Sequence, residues 1–289
     1  MSAWHIGVIG GSGLYEGTEL DDAQQVPVAS AFGEPSGPVT MGSLEGVRVT
    51  FIARHGEGHE LSPSQVNYRA NIDVLKRCGV TDVLAISAVG SLKEELAPGD
   101  FVAVDQFIDR TTGREGSFFA PGLVAHVGLA TPVCPRLSER AAGAARAAGV
   151  RAHRGGCYIA IDGPQFSTRA ESALYRQWGA DVIGMTGMPE ARLAREAELP
   201  YALLGMVTDY DSWREGDEVD AAAILAVMRT NAKTARAALR HLVKKLPPER
   251  EASPIDRALD GAIVTPRERW TAAAIARLDA VAGRLFRPS

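Results

Sequence analysis

His5-Ile6-Gly7-Val8-Ile9-Gly10-Gly11-Ser12-Gly13 is a short apolar run that ends directly in four small residues. β-Branched residues without a helical period read as a buried strand, and the glycines read as the tight loop that leaves it. The same grammar recurs along the chain. Apolar runs over 47–53, 83–87, 101–104, 157–161, 182–185 and 201–207 each stop at Gly, Ser, Thr, Asp, Arg or His. Between them, helical spacing covers 64–77, 136–148, 168–178, 189–197 and 221–245. Strands alternating with helices predict an α/β domain whose sheet is mostly buried. In such sheets the binding crevice lies beyond the strand ends, which is where the polar residues collect.

The chain has 289 residues, enough for a substantial core. Its 31 basic and 35 acidic residues give a formal charge of −4, so no basic excess points to nucleic acid. No apolar run has the length of a membrane helix, and the first residues carry no basic and apolar leader pattern. Cys78, Cys134 and Cys157 are odd in number and far apart. That usage suits core packing in a reducing, cytoplasmic setting.

Three strand ends have the makings of an anion cradle. Gly10-Gly11-Ser12-Gly13 offers backbone amides and a hydroxyl, Arg54-His55-Gly56 a guanidinium, and Ser87-Ala88-Val89-Gly90-Ser91 a further hydroxyl. A glycine loop after the first strand also raises a dinucleotide-binding oxidoreductase as an alternative of another class. Its spacing is not G-x-G-x-x-G, however, and no convincing helix follows it. His55 and His59 are four apart, but glycines at 56 and 58 break the helix that a zinc pair would need, so no metal is expected.

Many ordered segments resemble the 5'-methylthioadenosine phosphorylases of the trimeric purine-nucleoside phosphorylase family. They include Gly10-Gly11-Ser12-Gly13-Leu14, Ala53-Arg54-His55-Gly56, Asn67-Tyr68-Arg69-Ala70-Asn71 and Asp105-Gln106-Phe107-Ile108-Asp109-Arg110-Thr111. Gly163-Pro164-Gln165-Phe166-Ser167, Met185-Thr186 with Pro189-Glu190, and Thr208-Asp209-Tyr210-Asp211 extend the match through residues 5 to 245. The resemblance implies a single domain around a mixed sheet flanked by helices, assembled as a homotrimer. It implies phosphate as co-substrate, no metal and no organic cofactor.

Carried over residue by residue, the resemblance puts Ser12, Arg54, His55, Ser87, Ala88 and Thr186 around phosphate. Met185 falls against the ribose, His59 beside the phosphate and sugar, and Phe166, Ser167, Asp209 and Asp211 in the purine pocket. Val219, Ile224 and Leu225 line the 5' side, and His126 is lent to the neighbouring subunit's 5' side. Asp209 is the expected proton donor at purine N7, with Asp211 holding it or meeting an exocyclic amine. Two close carboxyls disfavour joint ionisation, which helps one stay protonated. Aspartate at both positions favours a 6-aminopurine. The run Met185-Thr186-Gly187-Met188 keeps 5'-methylthioinosine, or a general purine nucleoside, as the rival substrate.

Residues 1–246 form the expected phosphorylase domain. The remainder, 247–289, reads as a polar proline-containing linker and one amphipathic helix. Thr265-Pro266-Arg267-Glu268 has the form of a helix start, and Trp270, Ile275, Leu278, Val281 and Leu285 follow as an apolar stripe.

Overall fold

A computed structural model of the chain describes residues 3–11, 14, 18–119, 121–214 and 221–286, with the side chains of 221–223 left aside. Ser12 and Val219 lie outside the described residues.

The strands in chain order are β1 (His5–Gly10), β2 (Asp21–Val26), β3 (Val39–Leu44), β4 (Val47–Ala53), β5 (Asp82–Ser91) and β6 (Phe101–Ala103). They continue as β7 (Gln106–Asp109), β8 (Ala152–Arg154), β9 (Cys157–Ala160), β10 (Val182–Gly184) and β11 (Tyr201–Asp209). The helices are α1 (Tyr68–Arg77), α2 (Pro135–Ala147), α3 (Arg169–Gln177), α4 (Gly187–Glu196), α5 (Ala221–Lys244), α6 (Ala272–Arg277) and α7 (Gly283–Phe286).

One mixed sheet runs β2-β3-β4-β1-β5-β10-β9-β7 and branches at β5, where β11 joins and leads on to β6 and β8. β1 is parallel to β4 and β5, and β5 is parallel to β11 from Tyr201↔Val83 onward. The end of β5 turns to pair antiparallel with β10, Val182 opposite Ser91. β5 therefore delivers its last residues between β10 and β11. That junction needs Gly90: a Cβ there would stand 3.0 Å from both Asp209 Oδ1 and Ile183 Cγ2.

β1 is buried throughout, and β11 is buried up to Thr208, as expected of strands covered by helices on both faces. The edge strand β2, Asp-Asp-Ala-Gln-Gln-Val, is exposed along nearly its whole length and carries no apolar alternation, which hid it from the sequence reading. β3, β7 and β8 were missed for similar reasons, being short or only half covered. α1 begins four residues later than the spacing suggests, because the Asn67 side chain accepts from the Ala70 amide and caps it there.

The dinucleotide alternative fails on topology. The next strands after β1 are the antiparallel pair β2–β3, where a dinucleotide fold would place a parallel strand.

The tail is helical as expected, but it is broken into two short helices where one continuous helix was expected. Trp270 is extended, α6 starts afresh where Thr271 accepts from the Ala274 amide, and it ends at Leu278. A shorter α7 and two 3₁₀ turns, Pro254–Arg257 and Arg267–Arg269, complete the segment. The apolar stripe is nevertheless used. Leu259, Leu278 and Val281 are buried in the same cluster as Ile72, Leu75 and Leu199 of the body. The proline-containing stretch before it is also tied down: Arg250 binds Asp82 at 2.5 Å and Asp256 at 2.7 Å, and Trp4 Nε1 donates to the Pro247 carbonyl. No helix among the described residues is long and apolar enough to cross a membrane.

Candidate active site

The ends of β4, β5, β10 and β11 surround one cavity of about 470 Å³. Among the residues expected at phosphate, Arg54, His55, Ser87, Ala88 and Thr186 line it. So do Met185, Phe166, Ser167, Asp209 and Asp211, together with His59, Ile224 and Leu225. His126 does not. It is exposed, on a loop whose amide donates to the Ala262 carbonyl.

Arg54 is fully buried, and a buried guanidinium needs partners. Its Nε and Nη2 grip Glu190 at 2.8 and 3.0 Å, and Nη1 donates to the Ile86 carbonyl at 3.2 Å. Tyr201 also donates to Glu190, at 2.8 Å. Burial opposes the charge, but Glu190 overrides it and the guanidinium's pKa rises. Of its five N–H groups, one on Nη1 and one on Nη2 have no partner among the described residues, so two donors are left for an oxyanion in the cavity. Beside them, Ser87 Oγ lies 3.3 Å from Thr186 Oγ1.

His55 donates from Nδ1 to the Leu61 carbonyl at 2.8 Å, since a carbonyl can only accept. Burial first, then the charge of Arg54, lowers its pKa to about 4, so the ring is neutral at ordinary pH. His59, in a left-handed turn at φ 61°, stacks on it with ring centres 4.2 Å apart.

The acidic pair closes the opposite side. β11 ends in an Asx turn, with Asp209 Oδ1 accepting the Asp211 amide at 2.8 Å. Asp211 then takes a left-handed backbone, φ 50°, which aspartate tolerates better than most residues. Thr208 Oγ1 donates to Asp209 Oδ2 at 2.6 Å, and Ser172 of α3 bonds Asp211 Oδ2. Ser212 and Trp213 fasten the turn to the Ser167 and Ser91 carbonyls at 2.7 and 2.8 Å. Burial raises the pKa of both carboxyls, that of Asp211 to about 6 against the pull of Ser172 and the Ser212 amide. Ser167 Oγ is buried in the cavity wall with no partner among the described residues, which leaves spare hydrogen-bonding capacity there.

Several contributors were not foreseen. Glu190 holds Arg54 from 136 positions away in sequence, with Tyr201 donating to Glu190 behind it, and no local pattern announces such a pairing. Arg114 donates to the Met185, Met188 and Asp162 carbonyls and so shapes the loop that carries Met185 and Thr186. Met228 extends the apolar wall of Ile224 and Leu225, at a spacing the helical period could have disclosed.

The family model described as "Phosphorylase superfamily" matches residues 5–244. S-methyl-5'-thioadenosine phosphorylase of Cereibacter sphaeroides is 55% identical over 285 residues, covering 98% of each chain. That of Bradyrhizobium diazoefficiens is 52% identical with the same coverage. The segment after Leu246 is therefore shared with these relatives, although the family model stops before it. A crystal structure of methylthioadenosine phosphorylase sourced from an antarctic soil metagenomic library superposes with a TM-score of 0.92 at 44% identity, covering 97% of this chain and 99% of that one. A mutant of adenosine/methylthioadenosine phosphorylase from Schistosoma mansoni, in complex with methylthioadenosine, gives 0.76 at 36% identity, covering 83% and 91%. A mixed sheet that gathers these strand ends, and matches of this extent, establish that the chain belongs to the phosphorylase superfamily.

Proposed function

We propose that the chain cleaves 5'-methylthioadenosine with inorganic phosphate, giving adenine and 5-methylthioribose 1-phosphate. The observation that carries this reading is one cavity holding three kinds of group. Arg54, Ser87 and Thr186 supply anion donors, Asp209 and Asp211 supply carboxyls of raised pKa, and Ile224, Leu225 and Met228 supply an apolar wall.

Phosphorolysis of an N-glycosidic bond leaves a cation-like sugar and an electron-rich purine. Arg54, the hydroxyls of Ser87 and Thr186, and the backbone at Ala88 position phosphate as nucleophile, which saves the entropy of a second encounter. The bound phosphate's charge also offsets the developing sugar cation. The departing purine is neutralised by a proton at N7, which Asp209 shares, while Asp211 serves the exocyclic amine and Phe166 and Ser167 flank the base. Burial keeps a proton on this pair at a pH where a free aspartate has none. The methylthio group rests on the apolar wall. Such a wall discriminates weakly against an added hydroxyl, so adenosine is a slower substrate rather than an excluded one.

The reaction draws on no metal or organic cofactor, and phosphate is its co-substrate. The enzyme works in the cytoplasm as a homotrimer in which His126 of one subunit reaches the 5' side of the next, and its products feed methionine and purine salvage. A competition assay offering methylthioadenosine, methylthioinosine and adenosine with phosphate tests the base assignment. Methylthioadenosine is consumed first on this account, and preferential loss of methylthioinosine would reassign the base.

A further inference from the structure

Each carboxyl at the end of β11 rests on a hydroxyl that has a second acceptor. Thr208 Oγ1 lies 2.6 Å from Asp209 Oδ2 and 3.2 Å from the Val89 carbonyl. Ser172 Oγ bonds Asp211 Oδ2 and lies 3.2 Å from the Thr168 carbonyl. A hydroxyl carries one proton and a carbonyl only accepts. Ser172 therefore has two arrangements. It donates to an ionised Asp211, or it donates to Thr168 and receives a proton from a neutral Asp211.

The second arrangement is one that the helix already favours. Thr168 is four residues before Ser172, and back-bonding to that carbonyl is the ordinary habit of a serine inside a helix. Ser172 is fully buried and Asp211 is 3% exposed, so water does not replace a bond that is lost. Asp209 Oδ1 is committed to the Asp211 amide, which leaves Oδ2, on Thr208, as that residue's place for a proton.

We propose that Ser172 is a positioning residue that lets Asp211 gain or lose a proton without leaving a buried group unpaired. In the acid form the Asp211 carboxyl donates to Ser172 and Ser172 donates to Thr168. In the charged form the Ser172 hydroxyl rotates and donates to Asp211, while the departed proton enters the pocket and replaces the one that Asp209 gives to the base. The inference rests on the phosphorolysis reading for its purpose, because that reaction requires the pocket to surrender one proton per turnover. The ionisable groups around Asp211 are Asp209 on β11 and Glu171 and Tyr175 on α3, with the Arg176 guanidinium stacked on Trp213 nearby. Glu171 is exposed and bound to Thr168, and both neighbouring carboxylates act to raise the proton affinity of Asp211. Ser172 is the side chain that acts in the opposite sense.

The test is a pH titration of the full chain labelled with carboxyl-¹³C aspartate, the Asp211 resonance being the one lost in Asp211→Asn. Alanine suits a helix and removes only an oxygen, so Ser172→Ala keeps the fold. The Asp211 midpoint is expected to move upward by about one pH unit in Ser172→Ala, the worth of one hydrogen bond to a charged group. Ser172→Thr, which keeps the hydroxyl, should return it toward the wild-type position. In the same series kcat for methylthioadenosine is expected to fall about tenfold in Ser172→Ala with KM little changed. An Asp211 midpoint that is unmoved in Ser172→Ala overturns the proposal, as does a folded Ser172→Thr that keeps the alanine variant's midpoint. Wild-type protein that releases no adenine in the presence of phosphate defeats the proposed activity instead, and leaves the titration result standing.

Discussion

Arg54 illustrates how much a single buried charge asks of its surroundings. Glu190 and Tyr201 take one side of its environment and the Ile86 carbonyl another, so the guanidinium's orientation is set before any ligand arrives. Removing the charge of Glu190 strands the guanidinium in the interior. Glu190→Gln is therefore expected to cost about 3–5 kcal/mol of stability and to raise the KM for phosphate, read by denaturant unfolding and initial rates. Asp211 behaves in the opposite way, being held in the fold at a cost. Its pKa, raised by burial to about 6, means that its contribution to stability is fully present below its unfolded value, near 4, and is lost as pH rises through 6. Asp211→Asn should then raise the unfolding free energy at pH 8 by about 2–3 kcal/mol, with a higher Tm, and should leave both unchanged near pH 4. A lower Tm at pH 8 would mean that the carboxylate is needed for packing. Asp209→Asn should shift preference toward 6-oxopurine nucleosides, measured as a ratio of kcat/KM values. The sequence disclosed Arg54 and the two aspartates because each stands at a strand end in a motif. It did not disclose Glu190, Tyr201 or Ser172 in their roles, because each acts across a distance that only the folded sheet closes.

The elements separate into those whose burial writes a pattern and those whose burial does not. β1, β4 and β11 are apolar runs because helices cover them, and their limits were readable within a residue or two. β2 has one covered edge and an exposed surface, so Asp21, Gln24 and Gln25 carry no signal. The tail gave a true stripe and a false element. Leu278 and Val281 do face the core, but the chain reaches them through a capped helix of six residues and a turn. Asp279 holds Arg77 at 2.5 Å, and Arg284 holds Glu198 and Asp260, both at 2.6 Å. Each buried leucine or valine side chain is worth about 1.5–3 kcal/mol, and Leu259, Leu278 and Val281 are all buried in the main cluster. Deleting 251–289 should therefore lower Tm steeply or leave the protein insoluble, in circular dichroism melts and sedimentation. A truncated protein that melts with the full chain would show that these contacts carry no weight.

At the scale of the molecule, the cavity mouth is unusually apolar for a surface. Phe166 is 47% exposed and Leu225 53%, and both line the cavity. A neighbouring subunit that covers them, and contributes His126, completes the site under the proposed assembly. The protein should accordingly run at three times its 30.7 kDa chain mass in light scattering, and His126→Ala should weaken methylthioadenosine turnover without changing that mass. The measurement that bears most directly on the whole account is adenine release from methylthioadenosine, followed with and without inorganic phosphate. Release is expected only with phosphate, with 5-methylthioribose 1-phosphate formed in equal amount. Equal rates in its absence, with free 5-methylthioribose as the second product, would contradict it.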